Sequence, residues 1–260
     1  MFNRLFPSHR LALLADRWVF RPAGSQTQVE SVFSDDRPLP ALESLLEQQA
    51  VSGRLRITLS HHQVRLFLAP PPPAWLNRAE MLIWIGAALE ATLGEKTGWS
   101  LSWDLTPPGQ PIIVAALPEP LWVGIHALCA QRGIKLTGMR PWLADAWQLR
   151  RGQLARATGW YAILEPGRQI LLRLQHGQTV ALRQRQTGSD PAAELDALLA
   201  RESLLADLPA GGPLWVEQAG GWQGQGRQGQ GRDQFASKFG GRYAVHEFSG
   251  PADLAQALLQ

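Results

Sequence analysis

The segment most suggestive of chemistry is the glycine-rich run AGGWQGQGRQGQGRD, from Ala219 to Asp233. Alternating glycine and glutamine with two arginines could track a single-stranded nucleic acid, but such binding draws on successive aromatic platforms, and the run holds only Trp222. It reads as a flexible surface loop. It is not a phosphate-binding P-loop, because no Gly-Lys-Ser/Thr follows. His61 and His62 are adjacent, so on a strand they point to opposite faces and cannot chelate one metal; at a hairpin turn both are expected in water. His9, His126, His176 and His246 show no ligand spacing. Cys129 stands near Trp122, Ile125 and Leu128 and reads as a small core residue. No serine sits in the Gly-x-Ser-x-Gly elbow of a hydrolase. Two carboxylates remain, Asp16 on the first strand and Glu165 in a related place in the second half. Asp16 reads as an exposed or salt-bridged edge residue.

The elements that would position these groups follow from apolar periodicity. Residues 11–20 read as a first strand and Val29–Phe33 as a second. A helix opens at Pro38 and Pro40, with Leu42, Leu45 and Leu46 on one stripe. RLRITL (54–59) and Val64–Leu68 alternate apolar and polar residues around a short polar turn, which predicts a β-hairpin ended by Pro70–Pro73. A helix over Trp75–Leu93, stopped by Gly94, is apolar on most of its surface and is expected to be buried on more than one side. Strands at Trp99–Leu105 and Ile112–Ala116, a helix to Gln131, a strand at Ile134–Met139 and a helix from Pro141 to Arg151 complete the first half.

The pattern restarts around residues 152–158. Trp160–Leu164, Ile170–Leu174 and Val180–Arg183 are three strands joined by EPGR and HGQ, both hairpin chemistry. Ser189, Asp190 and Pro191 start a helix that runs to Leu205. A strand at Leu214–Glu217, a short helix over 233–239, a strand at Tyr243–Phe248 and a helix at Pro251–Leu259 follow. The order βββ-α-β-α-β-α is that of a ribonuclease H-like lobe, and the first half reads the same way with an insertion. A ribonuclease H-like nuclease needs several carboxylates at strand ends to hold two metals, and here they are too few.

Bulk composition narrows the classes further. The 260 residues are 45% hydrophobic and 18% charged, which argues for a packed protein over a disordered one. Of the 25 basic residues only Lys96, Lys135 and Lys238 are lysine; the arginines are spread along the chain, as a surface kept in solution requires and unlike a nucleic-acid face. A single cysteine allows no internal disulfide and fits a reducing compartment. The apolar run Leu11–Ala15 is too short for a signal peptide, and Met81–Leu93, interrupted by Glu90, falls short of the ~20 residues of a membrane span. A start at Met1 and an untagged end at Gln260 are what a complete gene would give.

The order of elements, with the segments ALESLLEQQ, RLRITLS, VRLFLAPPP, GWSLSWDL and PIIVAALPEPLWVGIHALCAQRGIKLTGMRPWL, resembles the actin-like bilobal scaffold proteins of bacterial type II secretion and type IV pilus assembly. These are the cytoplasmic part of secretion protein L and pilus-assembly protein M. In the second half PLWVEQAGGWQ and FASKFGGRYAVHEFSGPADLAQALL resemble the end of that fold. The resemblance implies an α/β protein of two ribonuclease H-like lobes with mixed sheets and flanking helices, at 1–152 and 153–260. It implies a vestigial nucleotide site at Asp16, Glu165, Gly167, Gly220 and Gly221, where Gly220 and Gly221 match the adenosine turn. The phosphate turns depart from the family's pattern: Asp16-Arg17-Trp18 lacks the glycine, and Pro166 removes an N–H donor from Glu165-Pro166-Gly167-Arg168. ATPase activity is therefore not carried over, and no cofactor or metal is expected.

The implied role is a non-enzymatic scaffold, cytoplasmic and held at the inner membrane through a partner. It would bind a short cytoplasmic peptide of an inner-membrane platform protein, with an assembly ATPase as a second candidate partner and no nucleic acid. An interlobe groove rimmed by arginine is the expected place for that peptide, with Trp18, Trp75, Trp142 and Trp147 as candidate anchors. The alternatives are an actin-like or sugar-kinase-like ATP-binding protein, which Mg-ATP binding would reveal, and a ribonuclease H-like nucleic-acid binder.

Overall fold

A computed structural model describes residues 8–33, 37–94, 97–104, 106–207, 211–218, 239 and 241–248. Two compact units divide the chain between Gln148 and Leu149, inside a helix.

The first unit begins with a meander: β1 (His9–Leu13), β2 (Arg17–Arg21) and β3 (Val29–Val32). The single strand expected over 11–20 is thus a tight hairpin, closed by the Leu14 N–H on the Arg17 carbonyl at 2.9 Å. Asp16 lies at its bend, where a charged residue meets water more cheaply than inside a ladder, and Arg17 begins β2. Helix α1 (Pro38–Gln48) follows and buries Leu42, Leu45 and Leu46. β4 (Arg54–Leu59) then lies parallel to β1, with Leu11 opposite Ile57. The sheet order is β3-β2-β1-β4-β8, where β8 (Lys135–Pro141) is parallel to β4. Leu11, Leu13, Leu55 and Ile57 are fully buried, as central strands of a covered sheet require.

The hairpin expected between 54–59 and 64–68 does not form. β1 and β8 occupy both edges of β4, so β5 (Arg65–Ala69) leaves the sheet. The turn between them is tied to the β1 end instead: the Ser60 N–H donates to the Leu13 carbonyl, and the Gln63 side-chain amide to the Leu14 carbonyl, both at 2.9 Å. Alternating polarity identifies a strand but not its neighbour.

β5 opens a second, antiparallel sheet of order β5-β7-β6, with β6 at Trp99–Trp103 and β7 at Ile112–Pro118. Helix α2 (Arg78–Leu93) covers one face and packs Met81, Ile85, Ala88 and Leu89 against Phe67, Ala69, Ile112, Val114 and Ala116. Its start is a capping box: Asn77 accepts from the Ala79 and Glu80 N–H groups, and Glu80 accepts from the Asn77 N–H. Gly94, at φ 75°, ends it. The expectation that this helix is buried on several sides fails, because Leu82 and Ile83 are exposed. Helix α3 (Glu119–Gln131) returns the chain to β8 and carries Cys129 into the core, as expected. α4 (Trp142–Leu154) follows β8.

The second unit repeats the topology. β9 (Gly159–Glu165), β10 (Arg168–Gln175) and β11 (Gln178–Gln186) form the expected meander. β12 (Gly212–Gln218) is parallel to β9, and β13 (Tyr243–Phe248) to β12, giving β11-β10-β9-β12-β13. Helix α5 (Pro191–Leu205) is capped by Asp190 and lays Leu195, Leu198 and Leu199 on Ala162, Leu164, Leu214 and Val216. The helices expected over 233–239 and 251–259 lie outside the described residues, apart from Phe239.

Candidate functional site

Each unit opens with a hairpin whose turn carries an acid. In the first, the Asp16 carboxylate is exposed and accepts from Arg17 Nε at 3.1 Å. A terminal nitrogen of the same guanidinium donates to Glu30 Oε2 at 3.1 Å, so Arg17 bridges two acids across the β2–β3 ladder. Burial works against the charge on Arg17, but the hydrogen bond to Glu30 and the charge of Asp16 outweigh it and hold the group above its ordinary pKa. Trp18, next along, is fully buried, and its indole N–H donates to the Pro38 carbonyl at 2.6 Å. It anchors the start of α1 rather than a partner.

In the second unit Glu165 and Arg168 face each other across the two-residue loop Pro166-Gly167. Gly167 takes φ 75°, the left-handed position that a Pro-Gly turn requires of its second residue. Glu165 is fully buried and Arg168 nearly so. A phosphate loop surrounds its anion with successive backbone N–H groups, small residues and hydroxyls. The first turn offers Arg17 already bound to two carboxylates, and the second has a proline in place of a donor. Neither fits a nucleoside triphosphate. Gly220 and Gly221, expected to approach adenosine, lie outside the described residues.

Two charge clusters escaped the sequence reading. Glu217 on β12 is 4% exposed at its side chain, and Arg150 of α4 holds it with a two-pronged fork, Nε to Oε2 at 2.7 Å and Nη2 to Oε1 at 3.0 Å. The Arg150 guanidinium carbon lies 4.4 Å from the centre of the Phe248 ring, and Tyr161 meets that ring edge-on at 6.2 Å. The hydrogen bond to Glu217 raises the pKa of Arg150. Burial, and then the Glu217 charge, push the Tyr161 hydroxyl well above its ordinary pKa, against a smaller opposing effect of Arg150. The only sequence signal was an acid inside the apolar run LWVEQ. In the first unit Asp145 of α4 is ion-paired with Arg56 and accepts from Thr58 Oγ1 at 2.9 Å, both on β4. Both clusters fasten a helix to a sheet. Among the described residues no group of three His, Cys, Asp or Glu could hold a metal.

His61 corrects a further expectation. It is buried, not solvated: its Nε2 accepts the Leu143 N–H at 3.0 Å, satisfying a backbone donor in the first turn of α4. Its ring lies 5.7 Å from Trp142. Trp18 and Trp142 are therefore core and Trp147 is half-buried, whereas Trp75 is 74% exposed and Ile83 76%. Burial raises the pKa of the Cys129 thiol, which suits a core residue better than a nucleophile. No helix among the described residues is long and apolar enough to cross a membrane.

No family model and no curated protein sequence matches the chain. Solved structures do. A PilM–PilN type IV pilus biogenesis complex matches with TM-score 0.63 at 12% identity, over 94% of this chain and 88% of that one. A Bacteroides thetaiotaomicron protein with an actin-like ATPase fold and unknown function matches with TM-score 0.63 at 10% identity, over 100% and 98%. The cytoplasmic domain of EpsL, an inner-membrane component of the type II secretion system of Vibrio cholerae, aligns at TM-score 0.49 and 13% identity, over 88% and 93%. At such identities the likeness establishes architecture. The chain has the actin-like ATPase fold, built as two α/β lobes with mixed sheets and flanking helices.

Proposed function

We propose that the chain is a non-enzymatic scaffold on the cytoplasmic side of a bacterial type IV pilus or type II secretion platform, where it binds a short segment of an inner-membrane partner. The observation that carries this reading is the first hairpin turn. There Arg17 is committed to Asp16 and Glu30, and the buried Trp18 leaves no small residue for a phosphate to approach. The fold of a nucleotide-binding family is kept while the groups that would hold the nucleotide serve the packing of the lobe. The likeness to a PilM–PilN type IV pilus biogenesis complex supports a partner-binding role for the architecture.

A partner peptide needs an apolar anchor, and Trp75 offers a large ring to solvent directly before α2. The net charge of +3 favours an acidic segment, through encounter rate more than final affinity. The test is a calorimetric titration with the cytoplasmic tail of a candidate platform protein. Saturable binding that drops at least tenfold in Trp75→Ala is the expected result. Absence of binding to any such tail contradicts the reading.

A further inference from the structure

We infer that β6 is a self-complementary sheet edge through which two copies of this chain pair about a two-fold axis at Leu101. Among the described residues β6 lies at one edge of its sheet, with β7 as its ladder partner. Exposed edges template the addition of another strand, and proteins blunt them with charges, prolines or bulges. The other edge strands carry charge or proline: Glu30 in β3, Arg65 in β5, Lys135, Arg140 and Pro141 in β8, Arg183 and Arg185 in β11, and Glu247 in the sequence of β13. β6 reads Trp-Ser-Leu-Ser-Trp, with neither charge nor proline.

That sequence is a palindrome. Antiparallel pairing of two identical strands about Leu101 sets Trp99 opposite Trp103 of the second copy and Ser100 opposite Ser102, the self-matching a two-fold interface demands. The backbone phase agrees. The Gly98 carbonyl accepts the Glu119 N–H at 2.8 Å, so the closely bonded pairs of the β6–β7 ladder fall on even-numbered residues of β6. Trp99 consistently pairs with Pro118, which has no N–H to give. Leu101 and Trp103 therefore turn their backbone groups toward the open edge, where a two-fold axis at Leu101 forms a bonded pair.

The side chains match as well. Trp99, Leu101 and Trp103 are half-buried against the α2 cluster, and a second strand extends that cluster with cross-strand aromatic pairs. Ser100 and Ser102 project on the other face, Ser102 into solvent. Asp104 falls opposite Gly98 of the second copy, so no like charges meet. An edge this short buries far less than the ~1,200 Å² of a standard interface, so the dimer is weak and concentration-dependent.

The inference is independent of partner binding, and one experiment decides it. Sedimentation equilibrium of the full chain is run from micromolar to near-millimolar concentration, alone and as the double variants Ser100→Lys/Ser102→Lys and Ser100→Glu/Ser102→Glu. Both positions lie off the α2 face, and the melting temperature of each variant is measured alongside to show that the fold is kept. The wild-type mass should rise from 28.7 kDa toward twice that value. Each variant sets like charges opposite one another and should lose at least tenfold in association. An equimolar mixture of the two variants should associate again. A wild type monomeric throughout, a lysine variant that dimerises as well as wild type, or a mixture without recovery each overturns the proposal.

Discussion

The two hairpin turns occupy the same place in sheets of the same order, yet their acids live in opposite environments. Asp16 is exposed and held by a neighbouring arginine, whereas Glu165 is fully buried beside Arg168. Matching topology thus does not preserve a shared chemical role. At the first turn the carboxylate meets water, whereas at the second it is enclosed by the fold. The same contrast recurs in the helix-to-sheet clusters, where Asp145 is partly solvated and Glu217 is sealed.

The largest effect should come from the sealed end of that comparison. Glu217→Ala leaves Arg150 over Phe248 without its carboxylate, and removing one member of a buried pair costs about 3–5 kcal/mol. Urea denaturation measures it; a loss under about 1 kcal/mol would mean the pair is solvated after all. Tyr161 tests the same environment by pH. Its folded pKa lies above the ordinary value of about 10, so beyond that pH the unfolded chain releases a proton that the folded one keeps. Stability should be whole below about pH 10 and fall above it, and Tyr161→Phe should flatten the fall. An unchanged slope contradicts the assignment.

At the first turn the effects shrink. Trp18→Phe keeps most of the buried ring but removes the indole hydrogen bond to the Pro38 carbonyl, for about 1 kcal/mol. Asp16→Ala should cost less than ~1 kcal/mol and vanish in high salt, since the pair with Arg17 is exposed. A larger, salt-independent loss would make Asp16 part of something built.

Much of the architecture was legible because local chemistry dictated it. Pro166-Gly167 and His176-Gly177 specify hairpins, so the β9–β10–β11 meander was readable, and Asp190-Pro191 marks the start of α5. Pairing over distance was not. Alternation made strands of β4 and β5 but could not tell that β1 and β8 would claim β4. Arg150 and Glu217 stand 67 residues apart, and neither announces the other. His61 was misread because its burial depends on the Leu143 N–H, far along the chain. The turn at Pro166-Gly167 was readable from its own residues, because proline and glycine act through the backbone where they stand.

The central claim, a nucleotide-binding architecture without its nucleotide, is tested most directly by thermal unfolding in millimolar Mg-ATP. A ligand held at a hundred times its Kd stabilises the native state by about 2.7 kcal/mol, which for a chain of this size moves Tm by roughly 5–10 °C. The account predicts no movement, and a saturable rise with Mg-ATP would contradict it.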